Sequence, residues 1–245
     1  MPNSVLSDLL ADYRVRVHPR ARHVRLRIDP RDGLVVTIPP RFDRRRLPAL
    51  LSARSDWIHR VASRQALAKA HMDPACQGRR PQKISLPALG REWLVDYPEP
   101  SGRYLRFDDD GCRLIIGLPE VTDEAVDARV IRRLRSWLRG QASEFLKNRT
   151  EALSNLYGLG YRSVTIRHQK ARWGSCSTRG DLSLNARLLF CPPRACDYVI
   201  VHELVHTLYA NHSADFWNKV EELMPDFRLQ EDVLNQVWLT MPDWV

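Results

Sequence analysis

The chain opens on a period of two. From Tyr13 to Ile28, "YRVRVHPRARHVRLRI", apolar and basic residues alternate, and "GLVVTIP" follows after "DPRDG". Such alternation marks a strand with one buried face, and Asp-Pro followed by Gly is turn chemistry, so this opening predicts a β-hairpin. The period then changes. In "DRRRLPALLSARSDWIHRVASRQALAKA" the apolar residues Leu47, Leu50, Leu51, Trp57, Ile58 and Val61 recur at helical spacing. After the break "DPACQGRRPQ", short strands are expected in "REWLVDY", "RYLRF" and "CRLIIG", divided by "PEPSG" and by the turn "DDDG".

From Thr122 the pattern is helical for much longer, through "DEAVDARVIRRLRSWLRGQASEFLKNRTEALSNLYG", with acids near its start and glycine near its end, as the helix dipole and capping favour. A strand "SVTIRH", a tight turn around Trp173 and Gly174, a strand "LSLNARLLF", a helix "CPPRACDYVIVHELVHTLY" and two further helices complete the chain. The elements predict an α+β protein with a soft boundary near 118–122. Residues 1–118 form a small, basic, mostly β unit with one helix, and 119–245 form the second domain.

In that late helix Tyr198, Val199, Ile200, Val201, Leu204, Val205 and Leu208 point all round the axis, which predicts a buried helix. His202, Glu203 and His206 stand among them. A carboxylate is almost never fully buried without a partner. The spacing supplies one: residues four apart differ by about 40° around a helix, so His202 and His206 project from one face and can offer two imidazole nitrogens to one metal ion. Glu203 lies about 60° from His206, beside such an ion. This is the H-E-x-x-H pattern of zinc hydrolases, in which the glutamate is a general base.

A catalytic zinc takes three protein ligands and keeps one position open. His212 follows His206 by six residues and His202 by ten, the same spacing of the third histidine as in H-E-x-x-H-x-x-G-x-x-H, with Tyr209 where that pattern has glycine. Asn211 is then expected to turn the chain through a left-handed conformation at the helix end. Glu221 or Glu222 would be the third ligand of a two-histidine, one-glutamate site. The spacing favours His212, with one Zn²⁺ per chain.

Length and composition narrow the setting. The 245 residues can bury a core without disulfide staples. No basic segment followed by an apolar run opens the chain, and no stretch approaches the ~20 apolar residues of a membrane span. The five cysteines are odd in number and scattered, which suits free thiols in a reducing compartment. A soluble cytoplasmic protein without a membrane partner is expected. The net charge of +9 is uneven: Lys and Arg outnumber Asp and Glu by 11 to 5 in residues 1–50, 8 to 5 in 51–100 and 10 to 8 in 101–150, then fall behind, 9 to 11, in 151–245. Basic patches attract nucleic acid or nucleotides, but no motif that reads RNA or DNA accompanies the charge, so a solvated face is the plainer account.

Other residues stay open. "GDLSLNARLLF" is either an interior strand or a sheet edge to which an extended peptide adds. Ser175 and Cys176 have no base tied to them by spacing, so neither is expected to be a nucleophile. Cys191 and Cys196 are too few and too far apart for a structural zinc pair. His168 and Tyr209 either donate to a developing oxyanion or pack.

Taken in order, "VRLRIDPRDGLVVTIPPRF", "SDWI", "RHQKARWGSCSTRGDLSLNARLLFCPP" and "DYVIVHELVHTLYANHSADFWNKVEELMPDF" resemble the YgjP-like metallopeptidase family, a relative of the SprT-like and WLM zinc proteases. The resemblance runs from about residue 13 to 240, and "RWGSCS" and "HELVH…NHS" are its most specific parts. It implies a zincin-like catalytic domain behind a basic β unit, zinc on His202, His206 and His212, Glu203 as the base, and a protein or peptide substrate. Val205 and Thr207 depart from the family's frequent Ala and Leu, at positions that are not ligands. Some members are linked to nucleoside triphosphate hydrolysis. A metal-dependent nucleoside triphosphate pyrophosphohydrolase, with Lys170, Arg172 and Arg187 holding phosphates, is therefore the first alternative. A nucleic-acid-binding protein with structural zinc is the second.

Overall fold

Pro19 splits the alternating run in two. In the computed structural model, which describes residues 13–29, 33–70, 74–98, 107–120 and 123–245, β1 (Tyr13–Val17) and β2 (Arg25–Asp29) lie on either side of β3 (Gly33–Ile38). β2 and β3 form the expected antiparallel hairpin, whose turn residues 30–32 lie outside the described residues. β1 pairs with β3 in parallel instead of continuing into β2. A proline cannot donate to a ladder, and here the chain turns on Ala21 N donating to His18 O. Where helical spacing predicted one helix, two follow, α1 (Leu47–Ser52) and α2 (Ser55–Ala70). Leu47, Leu51 and Ile58 join Ile28, Leu34, Val36 and Ile38 in one small core.

The chain divides into Met1–Met72 and Asp73–Val245, earlier than the expected 118–122. Burial explains the difference. β4 (Lys83–Leu86), β5 (Arg91–Asp96), β6 (Asp108–Asp109) and β7 (Arg113–Ile115) form a sheet in the order β4-β5-β7-β6. Its Ile84, Leu86, Trp93, Val95 and Leu114 are buried in the same core as the long helix and the histidine-bearing helix. β4 is an unforeseen strand, and the one expected in "RYLRF" lies outside the described residues except for Phe107.

The long helix, α3 (Glu124–Tyr157), is N-capped by Asp123, whose side chain accepts from Val126 N at 2.8 Å, and ends at Gly158 in the left-handed region. Val126, Val130, Leu134, Leu138, Ala142 and Leu146 recur every four residues on its buried stripe. Thirty-four residues give a rod about 51 Å long along which the second unit assembles.

β8 (Ser163–Arg167), β9 (Gly174–Cys176) and β10 (Asp181–Asn185) make the third sheet, with β10 in the middle, parallel to β8 and antiparallel to β9. "GDLSLNARLLF" is thus an interior strand that turns at Asn185 into a 3-10 segment, Ala186–Phe190. β9 takes the edge. α4 (Pro193–Val205), α5 (Ala214–Leu223) and α6 (Phe227–Leu239) close the chain. None of the five cysteines forms a disulfide. No helix among the described residues is long and apolar enough to cross a membrane.

Candidate metal centre

α4 begins with Pro193, which needs no hydrogen-bond partner for its nitrogen in a first turn. Leu204, Val201 and Ile200 are fully buried, as a helix apolar all round requires. Asp197, also buried, is held by two hydrogen bonds of 2.6 Å from the Arg149 guanidinium of α3. The helix ends at His206. The chain then reverses through tight backbone bonds, Thr207 N to Leu204 O and Leu208 N to Val205 O, both 3.0 Å. No described residue other than glycine has positive φ, so Asn211 does not make the left-handed turn expected of it. Ser213 caps α5 by accepting from Phe216 N, which fixes His212 just ahead of that helix.

His202, His206 and His212 thereby converge, with one ring nitrogen of each within 4.8 Å of the others. His202 Nε2 and His212 Nε2 are 3.1 Å apart. The other ring nitrogens of His206 and His202 are engaged. His206 Nδ1 donates to Tyr209 O at 3.0 Å. Tyr198 gives its hydroxyl proton to Glu231 Oε1 at 2.9 Å, so its oxygen is free to accept from His202 Nδ1 at 3.4 Å. Both histidines of α4 are therefore set in the tautomer that turns the Nε2 lone pair inward. Phe216 packs against all three rings, and Trp217 stacks on His212 at 5.5 Å. Burial, with the neighbouring histidines, pushes His202 down to about 3, so its ring is neutral at neutral pH. Neutral imidazoles that face one another with their lone pairs repel; a cation between them removes that repulsion, and three histidine nitrogens are a donor set zinc accepts.

Glu203 is 6% exposed, and its Oε2 is buried without a hydrogen-bond partner. Burial pushes its carboxyl up to about 7, opposed by the positive charge of Arg172. The room for it comes from Gly174 on β9: a Cβ there would stand 2.6 Å from Glu203 Oε1 and 2.7 Å from its Cγ. Gly174 is thus a place of close approach within a strand, not the tight turn its sequence suggested. Gly174→Ala should cost about 1–3 kcal/mol through overpacking. The cost should largely vanish in a Glu203→Ala background; thermal denaturation of the four variants of that cycle measures it, and an equal cost in both backgrounds would disprove the contact as its source.

Two clefts meet at Glu203. One, about 610 Å³, is lined by Trp173, Gly174, Tyr198, His202, Glu203 and Glu231 among others. The other, about 410 Å³, is lined by Arg172, Gly174, Ser175, Cys176 and the three histidines. Asn185, wholly buried, donates from Nδ2 to Gln169 O and Arg172 O, both at 2.8 Å, and so clamps the loop that delivers β9.

Of the other residues singled out in the sequence, burial keeps the Cys176 thiol up. His168 Nε2 donates to Arg135 O at 2.7 Å and lines neither cleft. Arg172 lines the smaller cleft, while Arg187 donates to Val245 O. Glu222 accepts from Lys219, and neither it nor Glu221 joins the histidine cluster. Asn185, Tyr198, Phe216 and Glu231 had no signal in the sequence beyond ordinary polar or core positions.

A search of curated proteins finds no match. Among solved structures, the crystal structure of the metallopeptidase zymogen of Pyrococcus abyssi abylysin is similar at 26% identity, covering 36% of this chain and 90% of that one, with a TM-score of 0.33. The model of the YgjP-like family, metallopeptidase domain, matches residues 22–237. That span holds both sheets of the second unit and every residue of the histidine cluster, and membership implies a bound metal ion. The chain belongs to the YgjP-like metallopeptidase family.

Proposed function

We propose that the protein is a zinc-dependent peptidase of zincin-like fold, with one zinc on His202, His206 and His212 and Glu203 as general base. The observation that carries this reading is the Glu203 carboxylate, buried and unpartnered at Oε2, beside three convergent imidazoles where two clefts meet. Zinc, when bound, supplies Lewis acidity toward a carbonyl and lowers the pKa of a water toward ~7.

The chain's own groups do the rest. Glu203 accepts a proton from the attacking water through its carboxylate and returns it to the leaving amine nitrogen. Tyr198, tied to Glu231, and the Tyr209 carbonyl hold the ring orientations of His202 and His206. β9 lies at the edge of its sheet and lends Gly174, Ser175 and Cys176 to the cleft walls, so an extended peptide can pair with that edge and lay its neighbouring residues in the two clefts. Five cysteines outside any disulfide are consistent with a cytoplasmic site of action.

Phosphate chemistry would ask for several cations at the site. Of Lys170, Arg172 and Arg187, Arg172 alone lines the cleft with the histidines, which favours the peptidase reading over triphosphate hydrolysis. The cluster has three members among the described residues, short of the fourth ligand a structural zinc takes. Zinc-loaded protein should cleave an unfolded protein substrate, lose that activity to a chelator and regain it with zinc. Nucleoside triphosphates assayed on the same preparation should survive; their hydrolysis without peptide cleavage would sink the peptidase reading.

A further inference from the structure

Two of the three clustered histidines have a hydrogen bond to set their rings, and the third has none. His206 Nδ1 donates to Tyr209 O, and His202 Nδ1 faces the Tyr198 hydroxyl. His212 is exposed, and among the described residues no protein group is hydrogen-bonded to its Nδ1. A side chain free to change rotamer loses that freedom when it binds, at a cost in affinity. The ring of His212 must be held in some other way.

His202, His206 and Phe216 meet it at 42°, 81° and 75°, with ring centroids 5.1, 4.6 and 4.8 Å away, so none of them lies flat against it. Trp217 does, at 26° and 5.5 Å. The contact follows from the way α5 begins. Ser213 caps the helix by accepting from Phe216 N at 3.4 Å, and Trp217 N donates to Ser213 O at 3.2 Å. His212 is therefore the residue just before the cap and Trp217 the fourth residue of the helix, the two positions whose side chains close over a helix entry as a hydrophobic staple. Trp217 is fixed in turn. It stacks on Phe227 at 5.5 Å and 23°; Phe227 is buried, and the Arg228 guanidinium lies 5.0 Å from its ring. The stack gains strength when His212 is a ligand, because an imidazole that gives its lone pair to a cation takes on positive charge, and an indole face attracts positive charge.

We infer that Trp217 is the positioning residue of the third ligand, doing for His212 by stacking what Tyr198 and the Tyr209 carbonyl do for His202 and His206 by hydrogen bonds. The inference rests on the ligand set proposed above. It gives Trp217 no contact with metal or substrate; the indole acts through His212.

Zinc affinity of full-length variants, read by competition with a chromophoric chelator, tests it. Trp217→Ala should weaken zinc binding about 10-fold, where the worth of an aromatic pair meets that of a supporting partner. Trp217→Phe restores a ring that can stack and should bind zinc within about 3-fold of wild type, whereas Trp217→Leu restores apolar bulk alone and should stay near Trp217→Ala. In a His212→Ala background, Trp217→Ala should change zinc affinity by no more than about 2-fold, since the residue through which it acts is gone. Metal-free Trp217→Phe and Trp217→Leu should melt alike, which separates ring positioning from packing. The contrast between these two, read with and without His212, carries the same test if Trp217→Ala does not fold. Wild-type affinity in Trp217→Leu, or an equal loss in both backgrounds, would overturn the inference and leave the ligand set standing. Unchanged zinc affinity in His212→Ala would remove the ligand set and this inference with it.

Discussion

Glu203→Gln should lower peptide cleavage by roughly 10²–10⁴-fold, the usual worth of a general base, and leave zinc in place. The amide matches the carboxylate in shape, so it fits the space that Gly174 leaves open against Glu203 Oε1 and Cγ. It touches none of the three histidine nitrogens. What it removes is the carboxylate that accepts the proton, whose Oε2 is buried without a hydrogen-bond partner. A site whose carboxylate merely balanced charge would behave differently, since the neutral amide would then weaken metal binding more than turnover. Zinc content and kcat measured on the same preparation separate the two. Wild-type kcat in Glu203→Gln would refute the base assignment, and loss of zinc would show that the carboxylate holds the metal, by its charge or as a ligand.

The convergence of the three histidines was legible because its first part is local. His202, Glu203 and His206 sit within five consecutive residues, and helix geometry alone decides that they share one side of α4. α3 was legible for a similar reason: a four-residue step sustained over its length has one structural reading. His212 could be guessed from spacing, but its delivery could not. The reversal after His206 runs through ordinary backbone hydrogen bonds, and Ser213, a capping residue easily passed over, sets where α5 begins.

What stayed hidden depends on contacts between distant segments. Alternation predicts that β1 is a strand, and it looks the same whether the neighbour runs parallel or antiparallel, so the pairing of β1 with β3 was not in it. β4 is only four residues long, too short to establish a period. The division after Met72 follows from where Ile84, Trp93 and Leu114 are buried, and composition does not reveal which of two cores a side chain enters. Gly174 reads as turn chemistry in sequence, and only its approach to Glu203 shows why no side chain fits. Asn185 alternates with Leu182 and Leu184 on what reads in sequence as the polar side of β10, yet it is fully buried and clamps the loop ahead of β9.

His212→Ala should reduce zinc affinity by more than about 10²-fold, beyond the 10–100-fold that loss of a supporting partner costs, and peptide cleavage should fall with occupancy. His212 is the exposed member of the cluster, so truncating it removes a nitrogen 3.1 Å from His202 Nε2 while leaving the buried packing of α4 alone. The metal-free variant should accordingly melt close to metal-free wild type, which distinguishes ligand loss from unfolding. Glu221→Ala and Glu222→Ala supply the contrast. Glu222 accepts from Lys219 Nζ at 2.8 Å, neither carboxylate joins the cluster, and both variants should keep wild-type zinc. Zinc per chain after dialysis against a competing chelator reads all of these. Full occupancy in His212→Ala together with an emptied site in either glutamate variant would move the third ligand onto α5, and with it the open position at which a substrate carbonyl would be met.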